Sequence, residues 1–314
     1  MEIIQYIATR LGQMVPVLFL VALISFLCMA LVPGDPIMLM LGGRATETVI
    51  AAAHEEFGLD KPILVRFFSF ISQGLQGDLG RSIIQRQPVT VLIGERISQT
   101  SFLLGYSAFL ALIVAIPLSF LAVIRHNRPT DHIIRLTGMV GLSMPSFWVG
   151  LLLMLLFGLK FNLFPIRGFG DGFLEHLWYL FLPSFTISLF LIPMLVQSLR
   201  ESMLDVLQSD YVEVARSKGL SSRRILLKHV FRNSLIPTIT VLSVNIGWLL
   251  SGAVVVEFVF SIPGLGSLLV RSVGFRDYPV IQGLAVVFAM MVMLVNLLAD
   301  LLYMVVDRRV IKKQ

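Results

Sequence analysis

The side chains best suited to chemistry are few, and their spacing works against it. Cys28 is the single cysteine, and a lone thiol closes no intramolecular disulfide. The five histidines, His54, His126, His132, His176 and His229, lack the short spacing of a metal site. Cys28 has no histidine on a neighbouring predicted span at matching depth, so nucleophilic hydrolysis lacks its base. No G-x-x-x-x-G-K-[ST] loop occurs, so the chain has no phosphate loop for ATP chemistry of its own. The cluster that stands out is Asp210, Tyr211, Glu213, Ala215, Arg216, Lys218 and Gly219. Asp210 and Glu213 form a D-x-x-E variant of the capping box, and Lys218 complements the last turn of the short helix it starts. Gly219 is placed to end that helix in the left-handed conformation. Ser221 or Ser222 then starts a second helix through Lys228. A short helix with charged ends and an apolar stripe at Tyr211, Val214 and Ala215 suits insertion into a soluble partner. Its basic residues equally favour an interfacial helix on anionic lipid.

The elements that must hold this cluster follow from composition. Of 314 residues, 56% are of the AVILMFWYC set and only 44, or 14%, are charged, against roughly 25% in a soluble domain. With a mean hydropathy of +0.86, the excess apolar surface must face lipid. Six stretches of 22 residues or more are free of charge once His176 is set aside: 11–34, 97–124, 136–159, 177–199, 233–256 and 278–299. At about 1.5 Å per residue each can cross a hydrocarbon core of roughly 30 Å. A helix satisfies its own backbone there, so the predicted fold is an all-α integral membrane protein of six spans. The first stretch is longer than a signal-peptide core and lacks a small-residue cleavage site, so it is read as a retained span. The organisation expected is an N-terminus over 1–10, a first span over 11–34, a long connection over 35–96, a core over 97–306 that includes the 200–232 connection, and a tail over 307–314.

The basic residues set the orientation. One set of short connections and tails holds 15 Lys and Arg, seven of them between Arg200 and Arg232, while the opposite short loops hold only Lys160, Arg167, Arg271 and Arg276. That 15 to 4 split predicts that both termini lie in the cytoplasm. It also accounts for the net charge of +6 without nucleic acid, which would need the cations on one accessible face.

The 35–96 connection then lies outside. Helices are expected over Ala45–Phe57, closed by Gly58, and from Pro62 to about Gln73. Such a cap can cover the bundle or receive an external partner. Within the spans, Ser143, Ser146, Gln197, Asn245 and Trp248 are candidates for lining a translocation path, although polar side chains also join membrane helices. Glu257 is expected at the outer interface, at the end of the fifth span. No central carboxylate or His–Asp relay supports proton coupling.

The run from Asp210 to Leu220 resembles the cytoplasmic E-A-A-x-x-x-G signature of bacterial ABC importer permeases. More narrowly, it resembles the D-Y-[IV]-x-x-A-R-A-K-G-L form of the dipeptide, oligopeptide and nickel permease family. Val214 replaces the middle residue of the triplet. Further segments carry the same resemblance along the chain: Val32-Pro33-Gly34-Asp35-Pro36, Gly77-Asp78-Leu79-Gly80-Arg81-Ser82, Ser143-Met144-Pro145-Ser146-Phe147-Trp148, Glu257-Phe258-Val259-Phe260-Ser261-Ile262-Pro263-Gly264 and Arg276-Asp277-Tyr278-Pro279. The tail departs from it, with Asp307-Arg308-Arg309 where D/N-P-R is usual.

The resemblance implies a type I importer permease, with a large extracytoplasmic loop after the first span and a coupling helix between spans four and five. It implies a paralogous permease as heterodimer partner, two ATP-binding subunits that hold the ATP and Mg2+, and an extracytoplasmic solute-binding protein. Asp210, Tyr211, Glu213, Ala215, Arg216, Lys218 and Gly219 would form the ATPase-coupling surface. Di- or oligopeptides are the expected cargo, with nickel chelates, glutathione or another small solute as alternatives. A secondary transporter, the competing class, would need coupling-ion ligands and an internal repeat, and neither is found in the sequence.

Overall fold

The computed structural model describes residues 2–31, 37–38, 47–56 and 60–306, and no strand occurs among them. Fourteen helices longer than a turn follow in chain order among the described residues: α1 (Glu2–Leu31), α2 (Glu47–Glu56), α3 (Ile63–Leu75), α4 (Val89–Gly94), α5 (Ile97–Ile124), α6 (Pro129–Ser143), α7 (Ser146–Lys160), α8 (Phe173–Tyr179), α9 (Phe181–Leu207), α10 (Asp210–Ser217), α11 (Ser222–Val244), α12 (Ile246–Val259), α13 (Leu265–Phe275) and α14 (Tyr278–Val306). The motif Val32–Pro36, the turn at Gly58 and Leu59, and the 307–314 tail lie outside the described residues. Pro62 sits one position before α3, as its extended N-cap with φ −54° and ψ 143°, rather than within its first turn.

Among the described residues four stretches are long and apolar enough to cross a membrane: Gln5–Met29, Val89–Ile124, Phe181–Leu207 and Tyr278–Leu301. The other two charge-free stretches are broken. Between α6 and α7 the chain turns by 103°, so 136–159 is two half-helices and not one rod. The cause is local: Pro145 has no N–H to donate, and it pushes Met144 into an extended conformation with φ −92° and ψ 136°. The second break, of 47°, falls at Asn245 between α11 and α12. Counting each bent pair as one span gives the six expected.

The chain divides into two compact units. In the first, residues 1–101 with 261–294, the core joins Val89, Leu92 and Ile93 of α4 to Leu265 and Leu268 of α13 and to Val280, Leu284 and Val287 of α14. Asp277, between α13 and α14, is buried and accepts from the Ser82 hydroxyl and from the N–H groups of Ile83 at 3.0 Å and Ile84 at 3.4 Å. That carboxylate fixes the loop after α3 to the start of α14.

The second unit, 102–260 with 295–314, is organised around α9. Within its span window 61% of the residues are buried, against 11% for α1 and 17% for α14, which makes α9 the interior helix. Gly150 lets α7 approach closely: a Cβ there would stand 3.2 Å from the Phe260 ring and 3.4 Å from Thr186 of α9.

Candidate functional site

The segment after α9 supplies the site. Ser209, not Asp210, is the N-cap of α10: its backbone is extended, with φ −77° and ψ 147°, and its carbonyl accepts from Val212 and Glu213. Its hydroxyl turns back to donate to the Val206 carbonyl at 2.5 Å, so the expected capping box at Asp210 and Glu213 does not form. Both carboxylates lie instead in the first turn, where they complement the partial positive charge of the exposed N–H groups. At the other end Gly219 adopts φ +74°. Its N–H donates to the Arg216 carbonyl at 2.9 Å and that of Leu220 to Ala215 at 3.3 Å, which together make a Schellman closure.

One face of α10 is locked from behind. Val212 and Ala215 are buried with Val123 of α5, Leu199 and Met203 of α9, and Ile225 and Val230 of α11. Ile225–Val230 is a π-helical turn, and it aims both of its ends into this cluster. Successive helical residues rotate by 100°, so Tyr211 and Val214 face the other way and are 45% and 53% exposed. Ala215 therefore does not belong to the outward stripe expected from the sequence. Tyr211 leans against α11, its hydroxyl accepting from Asn233 Nδ2 at 3.0 Å. Arg216 and Lys218 are exposed at the C-terminal end.

Beside this seat lies an ion pair that the sequence reading missed. Arg200 of α9 donates from Nε to Asp131 Oδ1 at 2.7 Å and from Nη2 to Oδ2 at 2.6 Å. Asp131 is fully buried and also accepts from the Asn127 N–H, while His126 Nδ1 stands 3.0 Å from Arg200 Nη2. The one signal available was a carboxylate and a guanidinium flanking spans on the same side, 69 residues apart.

The candidate path residues are dispersed. Ser143 and Ser146 flank the α6–α7 break, Asn245 sits at the α11–α12 bend, Trp248 lies one turn into α12 and is 77% exposed, and Gln197 is exposed on α9. Ser143 donates to Met139 and Gln197 to Glu201 within their own helices, and Asn245 donates back to the Val241 carbonyl of α11. No hydrogen bond joins any two of the five. Glu257, expected at the outer interface at the end of the fifth span, is fully buried in α12. Among the described residues no cluster of His, Cys, Asp or Glu could hold a metal ion.

Broken apolar helices around an interior span, with a short helix seated across their ends, are the architecture of a multi-pass membrane protein. Residues 115–312 match the family model described as "Binding-protein-dependent transport system inner membrane component", and residues 3–104 match its N-terminal companion. The chain belongs to that family, a multi-pass, non-catalytic membrane subunit of ABC importers whose ATPase resides in separate subunits. It is 38% identical over 304 residues to the glutathione transport system permease protein GsiC of Salmonella choleraesuis (strain SC-B67), covering 97% of this chain and 98% of that one. It is 36% identical over 311 residues to the oligopeptide transport system permease protein AppB of Bacillus subtilis (strain 168), with the same coverage. The fold is also similar to that of a chain in the inward-facing MetNI methionine ABC transporter, with a TM-score of 0.55 at 14% identity, over 69% of this chain and 96% of that one.

Proposed function

We propose that this chain is one half of a paralogous permease pair that imports short peptides, with both termini in the cytoplasm and α10 docked on an ATP-binding subunit. The observation that carries the docking is the two-faced character of α10. Val212 and Ala215 fix it to the spans, leaving Tyr211 and Val214 as an outward apolar pair between acidic and basic ends. A helix anchored in this way moves together with α9 and α11 when its partner moves, which is what coupling requires. Closure of the ATPase pair around ATP and Mg2+ would push α10 and open the permease pair outward. A binding protein would then release its ligand, and hydrolysis would reset the pair. The peptide assignment is supported by the names of relatives that carry oligopeptides or glutathione, itself a tripeptide.

Reconstitution with the second permease, the ATP-binding subunits and the binding protein tests this reading. Vanadate-sensitive uptake of a dipeptide that requires every subunit is the expected result. Uptake driven by an ion gradient without ATP would overturn the importer mechanism, and a sugar or metal chelate retained by the co-purifying binding protein would overturn the peptide assignment.

A further inference from the structure

Helix α3, in the first unit, is amphipathic in the wrong sense for a helix that caps a bundle in water. At 100° per residue Leu64, Phe68, Ile71 and Leu75 fall within an arc of about 60°, and Arg66, Ser69 and Gln73 fall within another on the opposite side. The apolar arc points outward: Leu64 is 70%, Phe68 65% and Leu75 85% exposed, while Ile71 is half-buried. The polar arc turns to a cleft, which Arg66, Ser69 and Gln73 line together with Glu55, Lys61 and Asp78. Gln73 Nε2 also donates to the Ser69 hydroxyl at 3.2 Å, so part of that arc is satisfied within the helix. A contiguous row of large apolar side chains turned outward marks a surface that something other than water covers.

The contact with α1 sets the depth of that surface. Between the two arcs Phe67 is buried, its ring edge-on at 5.8 Å from that of Phe19 and 5.4 Å from that of Phe26. Phe26 and Phe19 stand three and ten residues inside the Met29 end of the apolar span of α1. At about 1.5 Å per residue the contact therefore sits roughly 4–15 Å inside that end. A helix held there by its packing lies alongside hydrocarbon and not above the headgroups. Over the same stretch α1 exposes Leu20, Ile24 and Leu27, so both helices present apolar surface at this depth. A water-soluble binding protein docks on the end of a bundle and does not reach it.

We infer that α3 returns to the bilayer beside α1, with Leu64, Phe68, Ile71 and Leu75 against lipid acyl chains and Arg66, Ser69 and Gln73 toward a hydrated cleft. The connection after the first span is then a membrane anchor in addition to the six spans, and not only a cap in water.

The test is spin-label accessibility in the assembled permease–ATPase complex in nanodiscs. Cys28→Ser removes the native thiol, and labels are placed one at a time through Leu64→Cys, Phe68→Cys and Leu75→Cys on one arc and Ser69→Cys and Gln73→Cys on the other. The ratio of collisions with oxygen to collisions with a neutral nickel chelate is expected to be several-fold higher at 64, 68 and 75 than at 69 and 73, with or without binding protein. Nickel collisions as frequent at 64, 68 and 75 as at 69 and 73 place the arc in water and overturn the inference. Shielding from both reagents places it against the second permease, and nickel exposure lost only when the binding protein is added places it under that protein; either result overturns it too. The wild type gives a check that needs no substitution: a photoactivated carbene probe dissolved in the lipid should mark Phe68, Ile71 or Leu75 in the tryptic peptide between Arg66 and Arg81. No mark there, in a sample where α1 is marked, sinks the lipid contact.

Discussion

Arg200 grips Asp131 through two parallel hydrogen bonds, at 2.7 and 2.6 Å, with both side chains almost wholly withdrawn from solvent. The pair ties α9 to the start of α6 beside the cluster that seats α10. Removing either partner leaves a buried charge unpaired, at a cost of about 3–5 kcal/mol. Asp131→Ala and Arg200→Ala are each expected to lower stability by that order, and the double variant Asp131→Leu with Arg200→Met to recover most of it. Denaturant unfolding in detergent would check the cycle. Arg200→Lys should behave as a loss, since an ammonium cannot reproduce the fork.

Gly219 is required by its conformation rather than by space. Its φ is +74°, and a Cβ there would meet nothing within 4 Å. Gly219→Val should therefore be strained by about 1–3 kcal/mol, whereas Gly219→Asn, which tolerates the left-handed region, should be mild. Transport assays and the yield of co-purified ATPase should rank the variants glycine, asparagine, valine. If valine equals glycine in both assays, the Schellman closure does not matter to coupling.

The two faces of α10 should respond differently to substitution. Ala215→Trp overfills the buried cluster and is expected to lower stability by about 1–3 kcal/mol. Val214→Asp alters an exposed position, so its effect on stability should stay within about 0.5 kcal/mol while ATPase co-purification falls. Equal co-purification of wild type and Val214→Asp would remove Val214 from the docking face.

Asp277→Ala strips the acceptor from three donors at Ser82, Ile83 and Ile84. Hydrogen exchange should then speed up at the Ile83 and Ile84 amides by an order of magnitude or more, corresponding to a loss of at least about 1.4 kcal/mol of local stability. Asp277→Asn should fall between the two, since it keeps a carbonyl acceptor but loses the charge.

The sequence revealed the spans because apolar length is a sum, and a sum survives any rearrangement within the stretch. The 103° turn inside 136–159 adds no charge, so only Pro145 announced it. The cap at Ser209 was missed because Ser and Asp cap equally well, and the backbone angles at 209 decide between them. Gly219 was legible because its role depends on a single φ. The facing of Ala215 was not, because on an eight-residue helix one position of phase exchanges inside for outside. The Asp131–Arg200 pair depends on tertiary approach across 69 residues, which no local pattern encodes.

The turn at Met144 and Pro145 has a consequence for solvent. A helix end leaves up to four carbonyls, and a helix start up to four N–H groups, without partners inside the helix. Here both ends fall within a charge-free stretch, between Ser143 and Ser146. Hydrocarbon cannot satisfy such groups, so irregular backbone at that depth is stable only against protein or in a wetted crevice. The break is thus a place where the two half-helices stay folded only because protein or water, and not lipid, meets their open backbone groups.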